Sequence, residues 1–330
     1  MKKKMTLGFF PTPMHELKTL SKMFSGYRVF IKRDDLNGLA TGGNKVRKLE
    51  YLLQDALEKG HDTVITAGAQ QSNHCRLTAA ACAKVGLKCH LVLGGQEPEQ
   101  HEGNLLLSGL FGAKIHFTGD NRKGEDMQLI AEQIRKEGAN PYLIPYGGST
   151  EIGALGYSDA MLEMKSQMKE TGQWMDYIVF ASSSGGTHAG LLAGRELHQL
   201  NSKLIGISID KDETNGHSLE TIIADLYRSV MGMYGIKNIK EVPGIELLRG
   251  YDKAGYGVIT GNELKAIKVL AEAEGILLDP VYTARAFYGM MDLMDRKELK
   301  PNSNVLFLHT GGLPAIFHYS KELNQKKNAG

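Results

Sequence analysis

Short runs of β-branched and aromatic residues alternate along this chain with longer segments of helical pattern. The short runs predict eight strands, at Arg28–Lys32, Thr63–Ala67, Cys89–Leu93, Lys114–Phe117, Tyr142–Ile144, Tyr177–Ala181, Leu204–Ile209 and Val305–His309. The longer segments predict helices, among them Lys45–Glu58, Asn73–Val85, Gly124–Lys136, Thr187–Leu200 and Asn262–Glu274. Strands that alternate with helices of this length are typical of an α/β fold with mostly parallel sheets.

Length and composition limit the class of protein. The 330 residues are enough for two domains, and 42% hydrophobic with 23% charged residues is ordinary for a soluble globular protein. The net charge of +2 implies no field that would select nucleic acid. The apolar stretch after the basic start is too short for a secretory signal, and no apolar run approaches the ~18 residues of a membrane helix. We therefore expect a cytoplasmic protein without a nucleic-acid or membrane partner.

The cysteines and glycines predict neither a metal site nor a linker. Cys75, Cys82 and Cys89 are an odd number of thiols without the spacing of a disulfide-rich domain. Close Cys-x-x-Cys or His-x-x-x-His pairs, usual in zinc sites, are absent, so we expect no metal. A glycine cluster predicts a loop, which would suit a crossing between two α/β units. The cluster consists of Gly147, Gly148, Gly153 and Gly156.

A loop suited to an anion follows the strand predicted before residue 182. It reads Ser182-Ser-Ser-Gly-Gly-Thr-His188 and leads into a helix rich in small residues. Gly185 and Gly186 permit a phosphate to approach closely, and free backbone N–H groups with the helix dipole favour negative charge. Ser184 and Thr187 add hydroxyl donors. The loop lacks the Walker A and dinucleotide-fold signatures, and a plain tight turn is the alternative interpretation.

One lysine stands where glycines let the backbone turn into a helix, in Thr41-Gly-Gly-Asn-Lys45. Because Arg47 and Lys48 adjoin it, a solvated basic edge of the helix is one interpretation. The glycines favour another, since glycine is costly unless the backbone must bend near a ligand. A buried lysine has a lowered pKa and becomes a usable amine nucleophile. An imine-forming lysine and a separate phosphate cradle are two requirements of pyridoxal phosphate, and the pair predicts an enzyme.

A third segment, Ala67-Gly-Ala-Gln-Gln-Ser-Asn-His74, again joins a strand to a helix. Ser72 or Asn73 is a good N-cap, and the helix N-terminus behind it is suited to a carboxylate. A capping residue without a ligand explains the pattern equally well.

Together these segments resemble the tryptophan synthase β-like group of pyridoxal-phosphate enzymes, fold type II. Within it the chain is similar to the family of D-cysteine desulfhydrase and 1-aminocyclopropane-1-carboxylate deaminase, and closest to the desulfhydrase. The resemblance covers nearly the whole chain, in order. Its motifs are Phe10-Pro-Thr-Pro, Ile31-Lys-Arg-Asp-Asp-Leu, Gly42-Gly-Asn-Lys-Val-Arg-Lys-Leu-Glu50, Gln71-Ser-Asn-His-Cys-Arg76, Pro145-Tyr-Gly-Gly-Ser149, Ser184-Gly-Gly-Thr-His-Ala-Gly190, Asp279-Pro-Val-Tyr-Thr283 and Leu308-His-Thr-Gly-Gly312.

The resemblance implies pyridoxal 5'-phosphate as the cofactor. Lys45 would bind it covalently and move the Cα proton of the substrate. Asn73 would contact the phenolic oxygen of the cofactor, and Thr310 its pyridine nitrogen. The phosphate would be held by Ser184, Gly185, Gly186 and Thr187.

The resemblance also implies a small amino acid as substrate. Ser72 would lie at its carboxylate or act in proton transfer, and Tyr256 and Tyr282 match the two active-site tyrosines of the family. The substrate site would comprise Gln71, Ser72, Asn73, Tyr282 and Thr283.

The implied fold has two open, twisted α/β domains, each with a parallel sheet. A small domain, residues 48–156, would be inserted into a large cofactor-binding domain formed by residues 1–47 and 157–330. Homodimers are usual in the group, so we expect a homodimer.

Two positions separate the activities of the family. The deaminase carries a glutamate after the tyrosine that matches Tyr282 and a leucine at the position of Thr310, whereas this chain has Thr283 and Thr310. A carboxylate near the pyridine nitrogen makes the ring a strong electron sink, as cyclopropane opening demands. A threonine hydroxyl gives a weaker sink, which suffices when a thiolate leaves.

We therefore expect β-elimination of D-cysteine to pyruvate, ammonia and hydrogen sulfide ahead of the deaminase reaction. An L-cysteate sulfo-lyase, which would expel sulfite, and a non-catalytic metabolite binder on the same fold are further alternatives.

Overall fold

The computed structural model describes residues 2–121, 124–210, 213–214 and 216–324. The strands are β1 Met14–Glu16, β2 Tyr27–Arg33, β3 Thr63–Gly68, β4 Lys88–Leu93, β5 Lys114–Phe117, β6 Pro141–Ile144, β7 Tyr177–Ser182, β8 Lys203–Ser208, β9 Glu213–Thr214, β10 His217–Ser218, β11 Glu246–Leu248 and β12 Ser303–His309. The helices are α1 Lys18–Met23, α2 Lys45–Glu58, α3 Asn73–Val85, α4 Gly103–Leu110, α5 Met127–Lys136, α6 Glu151–Thr171, α7 Gly186–Leu197, α8 Leu219–Met233, α9 Gly261–Glu274, α10 Thr283–Asp295, α11 Ala315–His318 and α12 Ser320–Asn324.

Two sheets organise these elements. The larger has the order β1-β2-β12-β7-β8-β11, in which β1 is antiparallel to β2 and the other pairs are parallel. The smaller has the order β5-β4-β3-β6 and is parallel throughout. Strands β9 and β10 form a separate short antiparallel pair. The prediction of an α/β fold with mostly parallel sheets is confirmed.

Helices cover both faces of each sheet, as buried parallel strands require. On one face of the larger sheet, Ile178 and Phe180 pack with residues of α6, α7 and α8, while Val179 on the other face packs with α9 and α10. The smaller sheet packs against α2 and α3 on one face and α5 on the other. No helix within the described ranges has both the length and the hydropathy that crossing a bilayer needs.

Part of the glycine cluster is helical, and the loop predicted there is wrong at two positions. Gly153 and Gly156 belong to α6. A Cβ on Gly156 would overlap the Arg47 carbonyl of α2, and one on Gly190 of α7 would overlap the Ala154 carbonyl. These glycines therefore let three helices approach closely at the level of the backbone.

The predicted domain boundaries fall within helices. Residue 48 lies in α2 and residue 156 in α6. Ile152 of α6 packs against the cores of both sheets. The division into 1–47 with 157–330 and 48–156 stays a prediction.

Candidate active site

A cleft of about 600 Å³ opens where strands of both sheets end. Its walls come from the residues that follow the carboxyl ends of β3, β6, β7 and β12, the usual position of a ligand in open α/β sheets. The lining residues are Asn44, Lys45, Ser72, Asn73, His74, Tyr146, Gly147, Ala181, Ser182, Ser183, Ser184, Gly185, Thr187, His188, Tyr282 and Thr310.

Lys45 is the first residue of α2 and lines this cleft. Two glycines with positive φ precede it, Gly42 at 70° and Gly43 at 137°. A Cβ on Gly42 would overlap the Asp35 carbonyl, and one on Gly43 would lie 3.1 Å from the Thr310 carbonyl oxygen. The turn therefore requires glycine, and it brings the start of α2 against the end of β12.

The amine of Lys45 is chemically suited to attack a carbonyl. Its Nζ donates to the Gly147 carbonyl oxygen at 3.1 Å. Burial lowers the pKa of Lys45 to about 8, so a substantial fraction of the amine is neutral near physiological pH.

The interpretation of residues 45–48 as a solvated basic edge is wrong. Arg47 is 4% exposed and pairs with Asp34 at 2.8 Å. Lys48 is 1% exposed and its Nζ also donates to the Gly147 carbonyl, at 3.1 Å. Burial and the adjacent Lys45 lower the pKa of Lys48 well below its usual value.

The sequence indicated no role for Lys48, yet its amine lies beside Gly186 of the anion loop. A Cβ on Gly186 would lie 2.9 Å from Lys48 Nζ and 2.7 Å from Ser149 Oγ. The i, i+3 spacing from Lys45, which places both side chains on one helix face, was the available signal. Because a buried amine needs a compensating group, its position at the N-terminus of α7 suits an anionic ligand.

The loop after β7 presents its polar groups to the cleft. Gly185 has φ 81°, and α7 begins at Gly186. Ser149 Oγ accepts from the Gly186 N–H at 3.2 Å and donates to Ser184 Oγ at 2.8 Å. Thr187 Oγ1 accepts from the Asn44 amide at 3.2 Å. The helix N-terminus, these hydroxyls and the Lys48 amine together form a cradle for a phosphate.

The segment before α3 divides between the cleft and the interior. Ser72 is the N-cap of α3, and its Oγ accepts from the Cys75 N–H at 3.2 Å. The prediction that Ser72 or Asn73 caps this helix is confirmed. Both residues also line the cleft. Gln71 does not line it. Its amide oxygen accepts from the Asn104 N–H at 2.9 Å and its amide nitrogen donates to the Glu102 carbonyl at 3.1 Å.

The two predicted tyrosines form a pair. Their hydroxyls are 2.8 Å apart, and only Tyr282 lines the cleft. Burial, with the neighbouring ring, raises the pKa of Tyr282 well above its usual value, and burial does the same for Tyr256. Both phenols are therefore protonated at neutral pH, and one of the two hydroxyls donates to the other.

Thr283 and Thr310 lie in different environments. The Thr283 hydroxyl is fully buried and donates to Asp279 Oδ1 at 2.7 Å. Asp279 also accepts from the N–H groups of Val281, Tyr282 and Thr283, and so caps α10. Thr310 lines the cleft, whereas Thr283 does not.

The structure thus brings most of the predicted site residues into one cleft. Those that line it are Lys45, Ser72, Asn73, Ser184, Gly185, Thr187, Tyr282 and Thr310. Those that do not line it are Gln71, Gly186, Tyr256 and Thr283.

Two histidines of the cleft had no signal in the sequence. His188 Nδ1 is 3.3 Å from Ser182 Oγ, and His74 Nε2 is 2.9 Å from Thr66 Oγ1. Burial lowers the pKa of His188 to about 3 and that of His74 well below its usual value. Both rings are therefore neutral at pH 7.

Comparison with known proteins identifies the family. The profile of a family described as pyridoxal-phosphate dependent enzyme matches residues 5–311. This chain belongs to that family. Because its members depend on pyridoxal phosphate and its fold is the type II fold of that group, the resemblance that the motifs indicated is confirmed.

Individual relatives of the pyridoxal-phosphate family fall in one branch. A putative 1-aminocyclopropane-1-carboxylate deaminase of Pyrococcus abyssi is 41% identical over 97% of this chain and 94% of its own. A D-cysteine desulfhydrase of Salmonella newport is 42% identical over 94% of each chain. The solved structure of a 1-aminocyclopropane-1-carboxylate deaminase homologue superposes with a TM-score of 0.88 at 40% identity, covering 97% of this chain and 95% of the other. These findings support a pyridoxal-phosphate-dependent lyase.

The residues present fit the cofactor. A phosphate needs space and N–H donors, and at Gly186 a side chain would fill the space beside Lys48 and Ser149. The aldehyde needs an unprotonated amine, a form that the lowered pKa of Lys45, about 8, makes accessible. The donor set of hydroxyls, amides and amines matches the polar atoms of pyridoxal phosphate.

Proposed function

We propose that this enzyme catalyses β-elimination of D-cysteine to pyruvate, ammonia and hydrogen sulfide. One observation carries the choice: among the described residues that line the cleft, none is a carboxylate. The glutamate of a deaminase would stand at position 283, where this chain has a threonine whose hydroxyl donates to Asp279. The hydroxyl of Thr310 lines the cleft where a deaminase would carry a leucine. A thiolate leaves without the strong electron sink that ring opening demands.

The chain's own residues take the following roles in this proposal. Lys45 would hold the cofactor through its amine and, once the substrate amine has taken its place, would hold the proton removed from Cα. Ser72, at the N-terminus of α3, receives the substrate carboxylate or assists proton transfer. Tyr282, hydrogen-bonded to Tyr256, orients the substrate and donates to the departing sulfur. Elimination breaks the Cα–H and Cβ–S bonds, and hydrolysis of the remaining fragment consumes one water.

Pyridoxal phosphate, when bound, supplies the electron sink that makes the Cα proton acidic. In the proposal its phosphate is held by Ser184, Gly185, Gly186 and Thr187, with Lys48 added from the geometry of the cradle. Asn73 would donate to its phenolic oxygen, and Thr310 would hydrogen-bond its pyridine nitrogen without protonating it.

Two other reactions use the same residues. The deaminase reaction has the support of the relatives that carry this name. An L-cysteate sulfo-lyase would differ in its leaving group, sulfite in place of thiolate. A metabolite binder without catalysis is disfavoured by the buried Lys45, whose pKa is lowered to about 8.

A substrate panel tests the proposal. The holoenzyme is assayed with D- and L-cysteine, β-chloroalanine, L-cysteate and 1-aminocyclopropane-1-carboxylate, and α-keto acid, ammonia and sulfide are measured. We expect D-cysteine to be preferred, with little opening of the cyclopropane. Cyclopropane opening as fast as D-cysteine consumption would overturn the proposal, and exclusive turnover of L-cysteate would favour the sulfo-lyase.

The cellular and structural context is also proposed. We infer a cytoplasmic homodimer in which residues 48–156 form a small domain and residues 1–47 with 157–330 a large one. The two separate sheets, parallel except for β1, support this division. Light scattering on the purified holoenzyme, with about 72 kDa expected for two copies of the 36.2 kDa chain, tests the assembly.

A further inference from the structure

Asn104, which has no role in the mechanism above, is fully buried at the start of α4 and contacts a residue of the cleft. Its side-chain nitrogen Nδ2 donates to the backbone carbonyl of Gln71 at 3.0 Å and to Asn73 Oδ1 at 2.9 Å. The N-terminus of α4 is thereby tied to the N-terminus of α3, where Asn73 is the first helical residue.

These contacts determine which way round the Asn73 amide lies. The Gln71 carbonyl is only an acceptor, so the nitrogen of Asn104 must face it. The second proton of that nitrogen then meets the oxygen of Asn73. The guanidinium of Arg76, which can only donate, approaches the same Asn73 oxygen at 3.5 Å. Rotating the Asn73 amide by 180° would direct its N–H groups at two donors.

The arrangement leaves one polar atom of Asn73 for the cleft. Asn73 lines the cleft, and with Oδ1 engaged, Nδ2 is the remaining group. The Oδ1 of Asn104 is buried and finds no partner among the described residues. An unsatisfied buried oxygen costs stability, so the orientation of Asn104 is kept despite that cost.

We propose that Asn104 is a positioning residue that makes Asn73 present an N–H donor to the phenolic oxygen of pyridoxal phosphate. The inference rests on the role of Asn73 in the proposed function. A donor stabilises an anionic phenolic oxygen, whereas the carbonyl of a rotated amide would repel it. Asn104 therefore contributes to cofactor affinity without touching the cofactor.

The test changes the hydrogen-bonding character of Asn104 at nearly constant volume. Asn104→Asp offers acceptors only, so the Asn73 amide rotates and directs its oxygen into the cleft. We expect the dissociation constant for pyridoxal phosphate, measured by titrating apoenzyme, to rise about tenfold or more. If the visible absorption of the holoenzyme changes with pH, the midpoint of that change should lie at higher pH in Asn104→Asp than in the wild type. The variant has lost the donor that stabilised the anionic phenolic oxygen.

Two further variants separate positioning from general damage. Ser108→Ala removes a buried hydroxyl of α4, which donates to the backbone carbonyl of Asn104 at 2.8 Å, and should change cofactor affinity less than twofold. In an Asn73→Ala background, Asn104→Asp should also have less than a twofold effect, because its target is gone. If Asn104→Asp does not fold, Asn104→Ala replaces it in the same double-mutant comparison, with an expected loss of cofactor affinity of about threefold or more.

An equal loss of affinity with and without Asn73, or no loss with Asn73 present, overturns the role of Asn104. None of these measurements needs an amino-acid substrate. If Asn104→Asp loses affinity only when Asn73 is present, and the wild-type enzyme does not turn over D-cysteine, this inference would stand while the proposed substrate would be refuted.

Discussion

Two lysine amines donate to one carbonyl oxygen, and burial lowers the pKa of both. Lys45 and Lys48 each donate to Gly147 at 3.1 Å. Removing water from an ammonium favours its neutral form. For Lys45 that neutral form is the nucleophile. For Lys48, beside the cradle at Gly186, the partner that restores the charged form is an anion.

The two lysines are distinguished by substitution. Lys45→Ala should abolish activity and covalent attachment of the cofactor while the protein stays folded. Lys48→Ala should keep the attachment at Lys45 but weaken cofactor affinity about tenfold or more, because a charge-assisted hydrogen bond contributes about 1.5–3 kcal/mol. Borohydride reduction followed by peptide mass spectrometry locates the modified lysine. A modified Lys48 in the wild-type enzyme would contradict the assignment.

The lowered pKa of Lys45 predicts a pH dependence. The protonated amine is not a nucleophile, so cofactor attachment to the apoenzyme should accelerate as pH rises and level off above about 8. An ordinary lysine would place that midpoint near 10.4. Stopped-flow rates between pH 6 and 10.5 measure it. A midpoint above 10 would show that the amine is solvated in the apoenzyme.

At the scale of elements, the cradle depends on how closely α7 approaches its neighbours. A Cβ on Gly186 would lie within 2.9 Å of both the Lys48 amine and the Ser149 backbone. Backbone cannot yield as a flexible side chain can, so even alanine displaces the loop.

Gly186→Ala should therefore reduce cofactor affinity, Gly186→Val more so, and Thr187→Ala should reduce it through one lost hydrogen bond. Gly232 in α8 is the matched control, since a Cβ there meets nothing within 4 Å. Gly232→Ala should leave affinity unchanged and stabilise the helix by up to about 1 kcal/mol. Calorimetric titration of each apoenzyme compares them. Wild-type affinity in both Gly186 variants would place the phosphate elsewhere.

Local patterns predicted the buried strands and both edge strands of the smaller sheet, but they missed the edge strands of the larger sheet. Strands such as β3 and β7 are continuous apolar runs because both faces are covered. The edge strands β1 and β11 have three residues each, and tertiary pairing alone defines them.

The site was predictable where glycine is obligatory, as before Lys45 and at Gly185. It was not predictable where a distant segment supplies the partner. Asp279, four residues before Thr283, accepts hydrogen bonds from it and caps α10, but the spacing alone did not indicate this contact. The contact of Asn104 with Asn73 joins segments 31 residues apart, and no periodic pattern encodes it.

At the scale of the molecule, a buried ionic cluster fixes α2, and with it Lys45, to the larger sheet. Asp34 follows β2 and is fully buried. It accepts from Arg47 of α2 at 2.8 Å and from the Tyr157 hydroxyl of α6 at 2.7 Å. Arg47 also pairs with Glu163 of α6 at 2.8 Å. Burial alone would raise the pKa of Asp34, but Arg47 lowers it to about 2.

Asp34→Asn should therefore destabilise the protein by about 3–5 kcal/mol at pH 7, because the buried Arg47 loses its fully buried carboxylate and keeps only Glu163. Glu16→Gln breaks the more exposed Arg28 pair and should cost no more than about 1 kcal/mol. Urea unfolding measures both.

The sign of the pH dependence follows from the lowered pKa of Asp34. Its stabilising contribution is complete above the unfolded pKa of about 3.9 and is lost as pH falls toward 2. The difference between wild type and Asp34→Asn should therefore shrink between pH 4 and about 2 while the Glu16→Gln difference stays small throughout. A variant as stable as wild type at pH 7 would mean that the cluster does not hold α2 in place, and the position of Lys45 would then depend on the Gly42-Gly43 turn alone.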